Sequence, residues 1–216
     1  MILTNFKVNF EQAGLDFNGQ FLDLHNNFDF RDYHHDITSN QLQLTWTRSH
    51  EDWSKETICG FKLVFRSLTF LKIRGHDYST PYKEVFNLSD IGFLTPDLRN
   101  DFDSFLESKN ITDKDDLNIC FQSNLAFKIG CNYTDFVELN EEIIYVQVIN
   151  EAVPVWRPLW ADRLNENVYR IKSFADFDPN DEFEELEFKP DEIVICERQK
   201  KSEGHCLVAI KKSSND

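Results

Sequence analysis

His34-His35-Asp36, with His25 and His50 nearby, supplies the only clustered metal-ligand types in the chain. A zinc site needs three or four such groups converging at fixed spacing. Adjacent residues on a strand project to opposite faces, so His34 and His35 converge only on a loop, and no third ligand follows at a metal-binding interval. The segment reads as a polar hairpin tip. His50-Glu51-Asp52 begins like H-E-x-x-H but lacks the second histidine that would place both imidazoles on one helical face. No G-x-S-x-G elbow occurs, no cysteine has a local signature joining it to a base, and the 7 glycines form neither a P-loop nor G-x-G-x-x-G. Carboxylates abound, 38 in all, but a general acid and base pair is recognised by separation and shifted pKa, not by abundance. The expectation is a protein that is not an enzyme, with no catalytic residue, no metal and no cofactor.

The remaining chemistry is that of surfaces. Asp176-Phe177-Asp178-Pro179-Asn180-Asp181-Glu182-Phe183-Glu184-Glu185-Leu186-Glu187 is too acidic for a core and too rich in Phe and Leu for a featureless linker. Phe177, Phe183 and Leu186 interleave the acids as apolar anchors, while the carboxylates of Asp176, Asp178, Asp181, Glu182, Glu184, Glu185 and Glu187 would steer a basic partner. A solvated loop is the plain alternative. Trp156 and Trp160 flank Arg157-Pro158-Leu159, and Pro158 opposes a helix that would put both rings on one face. One Trp then packs and the other is partly exposed; Trp156 beside Arg157 is the candidate contact pair, because Trp and Arg dominate binding hot spots.

Composition limits the partners. With 38 acidic and 23 basic residues the formal charge is −15 and the pI about 4.8, which disfavours direct contact with nucleic acid or an anionic membrane. A basic protein is the natural complement. The N-terminus lacks the charged and apolar regions of a signal peptide, and no apolar run is long enough to span a membrane, so a cytoplasmic location is expected. Five cysteines, Cys59, Cys120, Cys131, Cys196 and Cys206, contain no C-x-x-C and read as reduced, buried thiols. The 20 phenylalanines provide most of the packing area.

These surfaces need elements to position them. Phe21 to Phe30 and Gln41 to Thr47 alternate in polarity and read as strands joined by a polar Arg31 to Asn40 connection. Phe61 to Phe65 and Leu68 to Ile73 continue the pattern. Thr95-Pro96-Asp97, followed by Leu98, Phe102, Phe105 and Leu106, predicts one helix near 96–108. Leu117 to Phe121 and Leu125 to Ile129 predict a hairpin turning at Ser123-Asn124. After the polar Asn140-Glu141-Glu142, five short runs follow: Ile143 to Ile149, Val153 to Trp156, Val168 to Ile171, Ile193 to Cys196 and Leu207 to Ile210. The expected fold is β-rich α+β, an antiparallel sheet domain over 1–140 with one packed helix, then a small five-stranded barrel over 141–216 carrying an acidic insertion at 176–187.

The phrases Val153-Pro154-Val155-Trp156-Arg157-Pro158, Val168-Tyr169-Arg170-Ile171, Pro190-Asp191-Glu192-Ile193-Val194 and Leu207-Val208-Ala209-Ile210 resemble the small SH3-like barrels of bacterial proteins. In style the acidic, motif-free chain also resembles bacterial polymorphic-toxin immunity proteins. That resemblance implies a non-catalytic protein-binding module, an immunity protein or inhibitor that occludes a basic toxin or nuclease. An assembly or oligomerisation module is the alternative, and a hydrolase built from dispersed His and carboxylates a third class.

Overall fold

The computed structural model describes residues 1–51, 53–54, 56–77, 79, 87–101, 112–172, 185–201 and 204–213. Two compact units emerge, one formed by Met1–Ser49 with Gly60–Leu139, the other by His50–Cys59 with Asn140–Asp216.

The first unit contains strands β1 (Ile2–Leu3), β2 (Phe6–Asn9), β3 (Gly14–Phe17), β4 (Gln20–Asp23), β5 (Phe28–Asp36), β6 (Gln41–Arg48), β7 (Gly60–Arg74), β8 (Leu88–Leu94), β9 (Asp116–Phe121) and β10 (Ala126–Leu139). Its main sheet runs β5-β6-β7-β10-β9-β8, with β1 added parallel to β10, and β2-β3-β4 form a small antiparallel sheet. Aromatic rings fill one face of the main sheet. Trp46 stacks on Phe61 at 5.1 Å between centroids, Phe61 on Phe136 at 4.6 Å, and Phe30 packs against Trp46 and Phe121. The expected alternation places Leu42, Leu44 and Trp46 of β6 in this core, all 0% exposed. Gly60 is required at the β6–β7 crossing, because a Cβ there would lie 2.4 Å from the Trp46 carbonyl oxygen.

The expected packed helix is overturned, and with it the α+β class: among the described residues the only helical turn is the 3-10 turn Pro96–Leu98. Thr95 is extended and its side chain caps nothing. The amides of Leu98, Arg99 and Asp101 each bond three residues back, to Thr95, Pro96 and Leu98. The start signal Thr-Pro-Asp therefore opens a tight turn whose next side chain, Arg99, is drawn to an ion pair on the sheet. Phe102, Phe105 and Leu106 lie outside the described residues. A second correction concerns Arg31 to Asn40, which is strand as far as Asp36, leaving only the turn at 37–40. A bulge at Arg31 interrupts its register with β6.

The second unit is a closed barrel of β11 (Glu141–Val148), β12 (Val155–Arg163), β13 (Val168–Ile171), β14 (Ile193–Lys201) and β15 (Gly204–Lys212). Antiparallel pairing links successive strands, and Tyr145 opposite Val208 closes the ring in parallel. Ile144, Val146, Val148, Leu159, Ala161, Tyr169, Ile171 and Val194 form its core. Among the described residues no helix is long and apolar enough to cross a membrane.

Candidate functional site

The barrel draws several of the sequence-selected residues to one end. There the chain leaves β11 at Ile149 and re-enters at Glu185, whose carbonyl accepts a 2.8 Å bond from the Ile149 amide. The Glu187 amide donates to the Gln147 carbonyl at 2.9 Å, and Leu186 forms an antiparallel bridge with Val148. Residues 185–187 thus extend the sheet for one bridge beyond the closure at Tyr145. Alternation then decides the side chains: Leu186, 6% exposed, points into the barrel with Val148 and Phe188, whereas Glu185 and Glu187 fall on the other phase. Leu186, offered by the sequence as a docking anchor, is a core residue. Glu185 is also held by its amide, which donates to Asn150 Oδ1 at 3.2 Å.

Across β11, Trp156 stands opposite Gln147. Trp156, Gln147 and Glu187 therefore form a row across three neighbouring segments. Trp156 is half-buried, with Lys201 Nζ 3.7 Å from its ring centroid, a cation–π contact. Arg157 is exposed. Two apolar side chains complete this end, Ile149 at 50% and Val153 at 65% exposure. Behind it, the turn at Asp191 (φ 68°) is fastened by Glu192, which accepts from the Lys189 amide at 3.0 Å and pairs with Lys212 at 2.7 Å. Burial pushes the Glu192 carboxyl up, but the Lys212 ammonium and the Lys189 amide together hold it below its ordinary value. Asp176, Phe177, Asp178, Asp181, Glu182, Phe183 and Glu184 lie outside the described residues.

Two buried polar constellations escaped the sequence reading. Glu142, read as part of a polar boundary, sits on the inward phase of β11, 1% exposed, and accepts a 2.7 Å bond from the Tyr169 hydroxyl. Burial, and then the charge of Glu142, push the nearby Cys196 thiol up to about 12. The other constellation lies on the face of the main sheet opposite the aromatic core. Lys72, Lys128, Asn118 and Gly92 stand in one row across β7, β10, β9 and β8. Lys128, Asn118 and Asp116 are each at most 1% exposed. Arg99 grips Asp116 with two bonds of 2.6 and 3.0 Å, an arrangement that raises the guanidinium's pKa, and the Lys128 ammonium donates to the Leu98 carbonyl. Burial pushes the Lys128 amine below its ordinary value despite the opposing Asp101 carboxylate. No side chain is admitted at Gly130, where a Cβ would meet Asp116 Oδ1 at 2.5 Å and Thr69 Oγ1 at 2.9 Å. The cluster is a closed strut that clamps residues 95–101 to the sheet. Polar residues at alternate positions of a strand are its only sequence signal, and in Asp116-Leu117-Asn118 that pattern has an ordinary solvent-facing meaning.

The histidines do not converge. His25 Nδ1 donates to the Leu88 carbonyl at 2.5 Å, and His34 and His35 are successive exposed residues of β5. Among the described residues no three His, Cys, Asp or Glu side chains are grouped to hold a metal ion. The five cysteines are buried and none is in a disulfide. No family model matches the chain, and neither the curated proteins nor the solved structures contain a match.

Proposed function

We propose that this chain is a non-catalytic, acidic protein-binding module of the bacterial cytoplasm, an immunity protein or inhibitor that occludes a basic toxin or nuclease, with a C-terminal barrel of the SH3-like kind. The observation that carries this reading is the bridge between Val148 and Leu186. It fixes residues 185–187, the described end of the acidic stretch, to the barrel beside the exposed Ile149 and Val153 and the Trp156–Arg157 pair. Apolar contact there would slow dissociation, and the carboxylates, within a chain of charge −15, would speed encounter with a cation-rich partner. The assembly alternative needs an apolar sheet edge. That alternative has the barrel pair through such an edge, and closure of β11-β12-β13-β14-β15 into a ring removes free edges of the kind that pair with another chain.

Co-expression with the protein encoded beside this chain tests the proposal. Growth inhibition by that neighbour should be relieved by the wild type. Replacing Asp181, Glu182, Glu184 and Glu185 with Lys should weaken relief and slow association at low salt, and Trp156→Ala should raise the dissociation rate. An unchanged association rate at low salt for the charge-reversed variant would sink the idea.

A further inference from the structure

We propose that the basic β14–β15 hairpin, together with Arg163, is a recognition surface for an extended acidic peptide, and that the chain's own residues 50–59 occupy it in cis. The contacts to the segment come from Arg163, Arg198 and His205, none of which belongs to the barrel end carrying Ile149 and Glu185, although Lys201 of the same hairpin lies over Trp156; the inference does not depend on the reading given above. Residues 50–59 leave the chain between β6 and β7, form neither helix nor strand among their described residues, and group with the barrel. The barrel reads their main chain. Arg163 Nη1 donates to the Thr57 carbonyl at 3.0 Å and approaches Cys59 Sγ at 3.8 Å. Arg198 Nη1 reaches the Glu51 carbonyl at 3.4 Å, and His205 Nδ1 lies 3.2 Å from the Glu51 carboxylate. Contacts from a rigid surface to the backbone of an irregular segment, with a few side chains inserted, are how folded domains hold peptides. Within the segment Ser54, Glu56, Ile58 and Cys59 are buried, from 2% to 9% exposed.

Two further observations point to a displaceable ligand. Ser54 Oγ is buried with no hydrogen-bond partner among the described residues, so the cis segment fits imperfectly and a competitor that satisfies the site gains on it. The charges are also complementary within a strongly acidic chain. The hairpin carries Arg198, Lys200, Lys201, Lys211 and Lys212 against Glu197 and Glu203, whereas the segment carries Glu51, Asp52 and Glu56 against Lys55. The partner class is therefore an extended peptide with a carboxylate at the Glu51 position and an aliphatic residue seven positions later, where Ile58 stands.

The test uses the full chain with residues 50–57 replaced by a Gly/Ser linker of equal length, and as probe a fluorescein-labelled peptide of residues 49–60. The wild type should not bind the probe at micromolar concentration. The linker variant should bind it saturably, and Arg163→Ala or Arg198→Ala in that background should weaken binding about ten-fold, the usual worth of a hydrogen bond from a charged donor. A linker variant that melts cooperatively yet ignores the probe, or binds it equally after both arginine substitutions, overturns the proposal. Should the linker variant not fold, hydrogen exchange on Glu51→Gln decides: exchange at Ser54 to Ile58 about ten-fold faster than in the wild type, with β14 and β15 unchanged, supports a releasable ligand. Segment and barrel amides exchanging at one common rate in both proteins overturn it.

Discussion

Replacing Leu186 with Ala asks whether one side chain fastens the acidic stretch to the barrel. Leu186 is 6% exposed and packs in the core that includes Val148, 1% exposed, and Phe188, 5% exposed. Truncating a buried Leu costs about 2–5 kcal/mol, the lower values where neighbours can collapse into the space. The position lies beyond the parallel closure at Tyr145, on a segment joined by a single bridge, so partial collapse is available and about 2–3 kcal/mol is expected. The two bonds that record the attachment are Ile149 amide to Glu185 and Glu187 amide to Gln147. If they open with the segment, a loss of about 2–3 kcal/mol accelerates exchange of those two amides by roughly 30- to 150-fold, at a factor of ten per 1.4 kcal/mol. Exchange read by NMR in wild type, Leu186→Ala and the control pair Glu185→Gln/Glu187→Gln separates the causes, because the control keeps the anchor and removes the charge. Acceleration under about three-fold in Leu186→Ala, or equal acceleration in the control, would refute the assignment of Leu186 as the fastener.

Other perturbations probe the struts. Asp135 is held below its ordinary pKa by bonds from the Thr4 hydroxyl and Arg66, so its contribution is complete above the unfolded value near 3.8 and fades as pH falls through the lower folded value. Asp135→Asn should flatten the acid limb of melting temperature as pH falls below about 4, and an unaltered limb would refute the linkage. Gly130→Ala should destabilise the first unit by about 1–3 kcal/mol through overpacking, and combined with Asp116→Asn the losses in urea titration should be less than additive, since both disturb one ion pair. Tyr169→Phe should cost about 1.5–3 kcal/mol by removing the donor to the buried Glu142 carboxylate, with Glu142→Gln in the same chain recovering part of the loss. Cys196, its thiol pushed up to about 12, should resist alkylation at pH 8 until the barrel unfolds, as mass spectrometry of native and urea-treated protein will show.

The period-two alternation made the strands legible, because burial on one face is written directly into residue order. Leu42, Leu44 and Trp46, and the hairpin of Leu117 to Phe121 with Phe127 and Ile129, pack as their spacing implies. The helix signal failed because Thr-Pro-Asp specifies the opening of a helical turn but not its continuation, and the Arg99–Asp116 pair outweighs it. Glu142 and Lys128 were illegible for another reason. A charged residue in an alternating strand is read as facing solvent, and only the tertiary partners Tyr169 and Leu98 reveal that it faces inward. At the candidate site, residue type and local Pro chemistry singled out Trp156 but did not separate it from Trp160, since both are half-buried, whereas the exposed Ile149 and Val153 carry no signal apart from the geometry of the β11–β12 turn.

The assignment of residues 50–59 to the barrel unit sets a schedule for the growing chain. Glu51 to Cys59 leave the ribosome long before β15, ending at Lys212, is made, and at about 5–20 residues per second the interval is on the order of ten seconds. Throughout that time the segment has no barrel to receive it, while β6 and β7 on either side can already pair. The hairpin they form must hold out a ten-residue loop for a host synthesised last, so a nascent chain paused before residue 212 presents that loop to chaperones and proteases.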